Sequence, residues 1–386
     1  MQTRVYLDYA ATTPMLSEVK EALCEGYALG LANASSLYAE GREARQVLER
    51  AREELALLVG CAPPELTFCS GGTEAAGTLI EGIARGAVER IGTGKKQHVV
   101  CAAFEHHAVL NSVLSLKRLG FEVTLVRPDR SGRITPEALV AALRSDTLMV
   151  VCMLAQNEVG TVQDIATLAK HAHEKGALFI CDCVQALGKL LFSVADLGVD
   201  AAFFSGHKLG GPFGIGAFYL KMLTPFLPRQ LGGGQEQKLR SGTQNAPAAV
   251  TFALAAGLHA VELRGNKPAY FAALRDEMIT TLTQSSDRIR PTVPVKKGDI
   301  TGHLPHYVHV LVQGIESQTM VLKLDELGFA VSGGAACSSG SLEPSHVLTS
   351  MGISKDDAYG ALRITMGRST TPEACSRFSE ALLSLL

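Results

Sequence analysis

Residues 201–208 read AAFFSGHK, an apolar run that ends abruptly in a polar, flexible segment. A short run of small and aromatic apolar residues predicts a strand that is buried on both faces, as in parallel sheets covered by helices. A lysine directly after such a strand is unusual, since lysine is almost never fully buried without a partner. Lys208 is therefore either a surface residue just beyond the strand or a side chain with a chemical role.

Other short apolar runs of the same kind lie on both sides of this stretch. They cover 66–68, 98–101, 123–126, 148–154, 178–181 and 214–220. Helical patterns lie between them, near 42–58, 74–90, 106–118, 135–143, 163–175 and 190–196. Strands that alternate with helices predict an α/β fold with a mostly parallel sheet sandwiched by helices.

The pattern changes near residue 260. Long helices are predicted from 246 to about 285, and from about residue 300 a strand and a helix lead to a Gly/Ser-rich loop at 332–341, followed by helix and strand again. This change predicts a large domain over 15–260 and a smaller α+β domain formed by 1–14 and 261–386.

The composition limits the classes of protein and of partner. The 386 residues are 47% hydrophobic, which is enough for one large core and a smaller second one. The 36 basic and 38 acidic residues give a net charge of -2, so no basic footprint for nucleic acid is present. The N-terminus shows no secretory signal pattern, and the apolar runs are short for a membrane span. We expect a cytoplasmic protein with neither nucleic acid nor membrane as a partner.

The nine cysteines do not predict a disulfide scaffold, because they lack framework spacing. Several lie in apolar strand-like runs and are interpreted as buried thiols. A metal site is not favoured either for the lone pair Cys181 and Cys183 or for the histidines at 303, 306 and 309. The glycines at 214 and 216 are followed by no third glycine, which excludes a dinucleotide fingerprint.

Polar residues follow several of the predicted strands at their carboxyl ends, where ligands of open α/β sheets bind. Residues 70–74 read SGGTE and lead from a strand into a helix. Small residues at a helix N-terminus can cradle a phosphate, but an ordinary strand–helix turn explains the same letters.

Two further strand ends carry an acid and an amine. Asp182 follows one strand, with Gln185 three residues later, and Lys208 follows the next. An aspartate there is also a common helix cap. Together with the possible phosphate loop, however, these residues match pyridoxal phosphate (PLP), which needs a lysine for its aldehyde, an acid for its pyridinium nitrogen and an anion site.

A histidine and a cysteine complete the set of candidates. His106 follows the strand at 98–101 and could stack on a cofactor or move protons, or it could be structural. Cys337 lies among small residues in the loop at 332–341, which suits a thiol that must move. A nucleophilic role would require local activation of this thiol, because a free thiol is mostly protonated at pH 7.

These residues resemble the cysteine desulfurases of the iron–sulfur-cluster-assembly type, long-loop branch, in the class-V aminotransferase family with PLP fold type I. The motifs that carry the resemblance are 6–14 (YLDYAATTP), 70–74 (SGGTE), 105–106 (EH), 157–160 (NEVG), 205–208 (SGHK), 240–243 (RSGT) and 336–348 (ACSSGSLEPSHVL). They span essentially the whole chain in order.

The resemblance implies roles for the catalytic and substrate residues. Lys208 would hold PLP covalently, and His106 would stack on its ring and move protons. Arg363, with Asn33 nearby, would bind the carboxylate of L-cysteine. Cys337, in a loop at about 332–345, would take the sulfur as a persulfide, leave L-alanine, and pass the sulfur to an acceptor such as an iron–sulfur scaffold protein.

The resemblance also implies the cofactor contacts and a homodimer. Asp182 would pair with the pyridinium nitrogen, while Asn157 and Gln185 would position the ring substituents and the phenolic oxygen. The phosphate would be bound by Thr73, Ser205, His207 and, from a second subunit, Thr243. No metal ligand is implied.

The sequence departs from the family pattern at Ala34, Gln156, Gly210, Phe213 and His309, none of which has an assigned chemical role. The alternatives are a selenocysteine lyase or transaminase of the same family, or a PLP-binding structural partner without turnover.

Overall fold

A computed structural model describes residues 4–30, 32–92, 97–333 and 343–386. The helices within these ranges are α1 (Ser17–Ala28), α2 (Ala39–Val59), α3 (Gly72–Ile91), α4 (His107–Ser115), α5 (Pro136–Ala142), α6 (Ile165–Glu174), α7 (Val194–Leu197), α8 (Ala246–Arg264), α9 (Lys267–Ser285), α10 (Ser317–Glu326), α11 (His346–Ser350), α12 (Lys355–Tyr359) and α13 (Pro372–Leu383). The strands are β1 (Val5–Tyr6), β2 (Leu66–Cys69), β3 (His98–Ala102), β4 (Glu122–Val126), β5 (Thr147–Val151), β6 (Leu178–Asp182), β7 (Ala201–Ser205), β8 (Gly216–Leu220), β9 (Ile289–Pro291), β10 (Tyr307–Val312), β11 (Phe329–Ala330), β12 (Ser332–Gly333) and β13 (Ala361–Thr365).

The large sheet has the strand order β2-β8-β7-β6-β5-β3-β4. Strands β4, β3, β5, β6 and β7 pair in parallel, whereas β8 runs antiparallel to both of its neighbours. The predicted α/β fold with a mostly parallel sheet is confirmed, and the one reversed strand is a feature that hydrophobic patterning does not encode.

Both faces of this sheet are buried under helices, which explains why its strands read as continuous apolar runs. Successive side chains of a strand point to opposite faces. Phe203 accordingly packs with side chains of α3 and α4, whereas Phe204 packs with those of α2, α6 and α8. The parallel strands therefore end together at one edge, where the polar residues that follow them meet.

A second sheet, antiparallel with the order β12-β13-β10-β9, has its own core with α9, α10 and α13. Strand β1 pairs in parallel with β11, and Asp8 bridges to Thr365 of β13, so the N-terminal residues join this part of the chain.

Helix α8 is long and apolar enough to cross a membrane by length and composition alone. Its buried residues, which include Phe252 and several alanines, belong to the main core, and the helix packs against α1 and α2. It is thus built into the folded domain as a core helix.

Candidate active site

A cavity of about 370 Å³ lies at the carboxyl ends of the parallel strands. The sequence-predicted residues that line it are Thr73, His106, Asn157, Asp182, Gln185, Ser205, His207, Lys208 and Arg363. Most of these residues follow the ends of strands of the large sheet, so its topology brings them together, whereas Arg363 comes from the middle of β13 in the second sheet.

Three predicted residues are not found in this cavity. Thr243 and Asn33 are exposed, and Asn33 uses its Oδ1 to accept a hydrogen bond from the backbone N of Ser35 at 2.9 Å. Cys337 lies outside the described residues. The roles assigned to these three side chains stay predictions.

Lys208 lies in a single turn of 3₁₀-helix that directly follows β7. Its Nζ donates hydrogen bonds to the backbone oxygens of Ala10 at 3.0 Å and Ala11 at 2.8 Å. The N-terminal segment therefore covers the site and holds the amine at the cavity wall. This arrangement excludes the interpretation of Lys208 as a plain surface residue.

Asp182 lines the cavity and is buried. Burial raises the pKa of its carboxyl, while the backbone N–H of Val184, at 2.8 Å from Oδ1, and the charge of Lys208 oppose the rise. Glu105, also fully buried, lies close enough that burial and the charge of Asp182 raise its pKa well above the ordinary range. An acid in this position can form a charged hydrogen bond with a cationic ring nitrogen.

The N-terminus of α3 forms the anion-binding end of the cavity. Gly71 has φ +149° and ψ -178°, a conformation open essentially only to glycine, and Gly72 and Thr73 begin the helix. A Cβ at Gly72 would come within 3.1 Å of Val184, so the backbone approaches the cavity closely. Free N–H groups and the helix dipole favour an anion here, with Ser205 opposite.

The protonation state of His106 follows from its geometry. Nδ1 accepts a hydrogen bond from the backbone N of Ala108 at 3.1 Å. Burial, followed by the charge of Lys208 and the neighbouring histidines, lowers the pKa of His106 to about 4. At neutral pH the ring is therefore neutral and carries its proton on Nε2, where it can donate.

Arg363 is buried, and its guanidinium is fixed by two contacts. Nη2 donates to Asp8 Oδ1 at 2.9 Å, and Nη1 donates to the backbone O of Asn157 at 2.8 Å. Its Nε, also buried, has no hydrogen-bond partner among the described residues. A buried guanidinium that lines the cavity suits a carboxylate ligand.

The residues on either side of the segment 334–342 are anchored to the cavity wall. Ser332 Oγ donates to Asp8 Oδ2 at 2.7 Å, and Ser345 Oγ donates to Glu158 at 2.5 Å. His346 Nε2 lies 2.9 Å from the backbone O of Glu105, and its ring packs on His107. Cys337 is thus carried by a segment whose two ends meet the site.

Several of these residues were not singled out in the sequence. Asp8, Glu105, Glu158 and His346 all lie inside quoted motifs but received no role, because their use depends on contacts between distant segments. The signal that could have found them is the presence of acids and a histidine inside otherwise apolar or small-residue motifs.

Fold and site together define a class of enzymes whose chemistry is built at the strand ends of a large α/β domain. The chain belongs to the class-V aminotransferase family, whose model matches residues 5–378. It is 38% identical over 379 residues to the cysteine desulfurase IscS of Dictyoglomus turgidum, covering 97% of this chain and 92% of the relative.

Solved structures agree with this assignment. A NifS-like protein superposes with a TM-score of 0.90 at 32% identity, covering 99% of each chain. A structure described as SspA in complex with cysteine has a TM-score of 0.80 at 31% identity, covering 94% of this chain and 99% of the other.

The cofactor of this family is PLP, and the residues present fit it. Lys208 supplies the amine, buried Asp182 the acid, and the N-terminus of α3 with Ser205 the anion site, all in one cavity. When bound, PLP supplies an electron sink for chemistry at an amino acid. Among the described residues, no cluster of histidine, cysteine and acidic side chains forms a metal site.

Proposed function

We propose that this protein is a PLP-dependent cysteine desulfurase that converts L-cysteine to L-alanine and takes the sulfur as a persulfide on Cys337. The observation that carries the proposal is the anchoring of both ends of the Cys337-bearing segment at a cavity that holds an amine, a buried acid and a buried arginine. A structural PLP-binding subunit would not need that arginine at the cavity rim.

The atoms of the reaction balance without another reactant. The sulfur of Cys337 forms an S–S bond with the sulfur of the substrate, and the substrate's C–S bond breaks. The electron pair of that bond, with a proton, ends on the β-carbon of L-alanine. The products are L-alanine and the Cys337 persulfide.

The described residues divide this work. The guanidinium of Arg363 binds the substrate carboxylate, and its contacts with Asp8 and Asn157 fix it in the required direction. His106 presents a neutral ring with an N–H on Nε2 and is placed at the cavity to hold or deliver a proton. Lys208 and Asp182 hold the cofactor between them.

The destination of the sulfur is the thiol of an acceptor protein: the acceptor thiolate attacks the outer sulfur of the persulfide, the S–S bond breaks, and the Cys337 thiol is regenerated. Assembly of iron–sulfur clusters, in the cytoplasm, is the proposed setting, as the resemblance to the family implies. The division into a large domain over 15–260 and a small domain is supported by the separate core of α9, α10 and α13.

We further propose that the enzyme is a homodimer in which Thr243 completes the phosphate site of the other subunit. Thr243 is exposed and does not line the cavity of its own chain, which is what a residue used in trans requires. Mixing Lys208→Ala with Thr243→Ala subunits tests this: hybrid dimers would contain one intact site, so activity should rise above that of either variant alone. Mixed subunits that show only the average of the two activities would contradict the proposal.

The activity itself is tested with purified protein, PLP and a panel of L-cysteine, L-selenocysteine and amino-donor pairs. L-cysteine should give L-alanine, and Lys208→Ala should lose both the visible absorbance of the bound cofactor and turnover. Product from an amino-donor pair without desulfuration would instead favour a transaminase, and turnover confined to selenocysteine would favour the lyase.

A further inference from the structure

The carboxamide of Gln185, which lines the cofactor cavity, is held by three neighbours. Its Oε1 accepts a hydrogen bond from the hydroxyl of Tyr307 at 2.9 Å and another from Nζ of Lys189. Its Nε2 donates to the backbone O of Ala10 at 3.0 Å. Both acceptor positions of the amide oxygen are therefore used, and one N–H remains.

These neighbours allow only one orientation of the amide. Burial, followed by the charges of Lys208 and Arg363, lowers the pKa of the Lys189 amine well below its usual range, and both this amine and the Tyr307 hydroxyl can donate to the oxygen. The carbonyl of Ala10 can only accept, so the atom that faces it must be the nitrogen. A flipped amide would place two oxygens about 3.0 Å apart and leave both of them without a donor.

Tyr307 and Lys189 are held in place by the fold. Tyr307 lies on β10 of the second sheet and is fully buried. It can approach because Gly160, at φ +79°, has no Cβ, which would lie 2.8 Å from that of Tyr307. Burial raises the pKa of Tyr307, which keeps its hydroxyl a donor. Lys189 follows β6 on the same segment as Gln185.

We propose that Lys189 and Tyr307 are positioning residues whose donors hold the Gln185 carboxamide in the orientation that the Ala10 carbonyl fixes, so that it offers an N–H to the ligand in the cavity. The ligand must then place an oxygen acceptor at that point, as the phenolic oxygen of PLP would. This inference rests on the proposed function for its ligand, and it adds two residues to the machinery of that site.

The test is the pH titration of the visible absorbance of the bound cofactor. An N–H donated to the phenolic oxygen stabilises the deprotonated chromophore, so losing that donor raises the pKa of the chromophore. With both donors removed, in Lys189→Met/Tyr307→Phe, the amide oxygen has no partner and the side chain can rotate away from the cavity, so we expect a rise of about one unit, equivalent to one hydrogen bond. Tyr307→Phe alone, which removes a single oxygen atom, should give about half of that rise.

The Gln185→Ala variant separates a positioning effect from other effects. Without the carboxamide there is no side-chain position to lose, so adding Lys189→Met and Tyr307→Phe to this variant should cause no further rise in the chromophore pKa. An electrostatic effect of the lysine charge, or a general loosening of the site, would persist in that background. Tyr219→Phe, on buried strand β8, and Lys221→Met, exposed beyond it, are matched controls and should titrate like the parent protein.

The outcomes separate the two proposals. An unchanged chromophore pKa in Lys189→Met/Tyr307→Phe, or a shift that persists in Gln185→Ala, would overturn the inference while the desulfurase proposal stands. A parent protein that binds PLP and titrates as expected but leaves L-cysteine unchanged would overturn the desulfurase proposal alone. A parent protein without any visible band would overturn both. If the double variant does not fold, the single Tyr307→Phe variant decides.

Discussion

The cavity wall and the turn at residues 234–243 are built by different means. The wall places its polar side chains at the ends of buried parallel strands, so the sheet itself sets their positions. The turn has no strand or long helix to support it. Its residues Glu236, Gln237 and Lys238 have φ values of 48°, 55° and 69°, a left-handed conformation that is costly for side chains with a Cβ.

Side-chain contacts hold the turn in this shape. The buried carboxylate of Glu236 accepts hydrogen bonds from the guanidinium of Arg52 at 2.7 and 2.8 Å and from the backbone N of Phe68 at 2.8 Å. Arg240 pairs with Glu74 at the N-terminus of α3 at 2.7 Å. The turn is thus fixed to the elements that form the anion site, yet Thr243 at its end faces solvent, as the proposed use in a second subunit requires.

We therefore expect the wall to tolerate a change in one contact, whereas the turn depends on one carboxylate. Glu236→Ala should lower the free energy of unfolding by about 3–5 kcal/mol, because buried Arg52 keeps only its exposed partner Glu49 and the buried N–H of Phe68 loses its acceptor. Urea unfolding followed by circular dichroism measures this. The control is Glu49→Ala, which removes the exposed partner of the same arginine and should cost less than about 1 kcal/mol. Equal effects of the two variants would remove the contrast between wall and turn.

A smaller effect on the free energy of unfolding is expected from the titration of Glu158, a residue of the cavity wall. Burial raises the pKa of Glu158 from 4.5 to about 7, against the hydrogen bond from Ser345 and the charge of Arg363. The unfolded chain loses this proton near pH 4.5 and the folded protein only near pH 7, so the contribution of Glu158 to stability is complete below pH 4.5 and is lost as the pH rises to about 7.

Glu158→Gln removes that titration. Between pH 4.5 and 7 the variant should gain about 3 kcal/mol of stability relative to the parent protein, measured by urea unfolding across this range. The comparison with the parent cancels the contributions of Asp182 and Glu105, whose pKa values burial also raises. A difference that is constant with pH would show that Glu158 does not titrate in this window.

The smallest of these effects concerns a single contact of the wall. Arg363→Lys keeps the charge but loses the planar fork that reaches Asp8 and Asn157 and that we propose for the substrate carboxylate. We expect kcat/KM for L-cysteine to fall by about 30-fold, equivalent to about 2 kcal/mol, mostly through KM. Arg290→Lys, an exposed arginine paired with Asp357, is the matched control and should leave the kinetics unchanged. An unchanged KM in Arg363→Lys would contradict the assigned carboxylate contact.

Much of the wall could be predicted from the sequence, because its residues directly follow strands whose apolar runs are plain. The positions of Asp182, Ser205 and Lys208 at one sheet edge follow from the parallel alternation of strands and helices alone. The PLP interpretation followed from these residue types, and the resemblance then assigned the individual roles.

The shape of the turn at 234–243 and the contacts of the Gln185 carboxamide could not be predicted in this way. No glycine in the sequence indicates the left-handed backbone at Glu236, Gln237 and Lys238. The long-range contacts of Glu236 hold this conformation. Lys189 lies in the segment after β6 of the large sheet, whereas Tyr307 lies on β10 of the second sheet, and only the folded chain brings them to one amide. The antiparallel direction of β8 is likewise set by its connection rather than by its apolar pattern.

The most direct test of the proposed activity is a single turnover with L-cysteine in slight deficit over enzyme, analysed by mass spectrometry of the peptide that contains Cys337. We expect one L-alanine released and one sulfur atom added to Cys337 for each L-cysteine supplied, with neither formed by Cys337→Ala although that variant keeps its bound cofactor. Release of L-alanine by Cys337→Ala at the rate of the parent protein, or sulfur found on another cysteine, would contradict it.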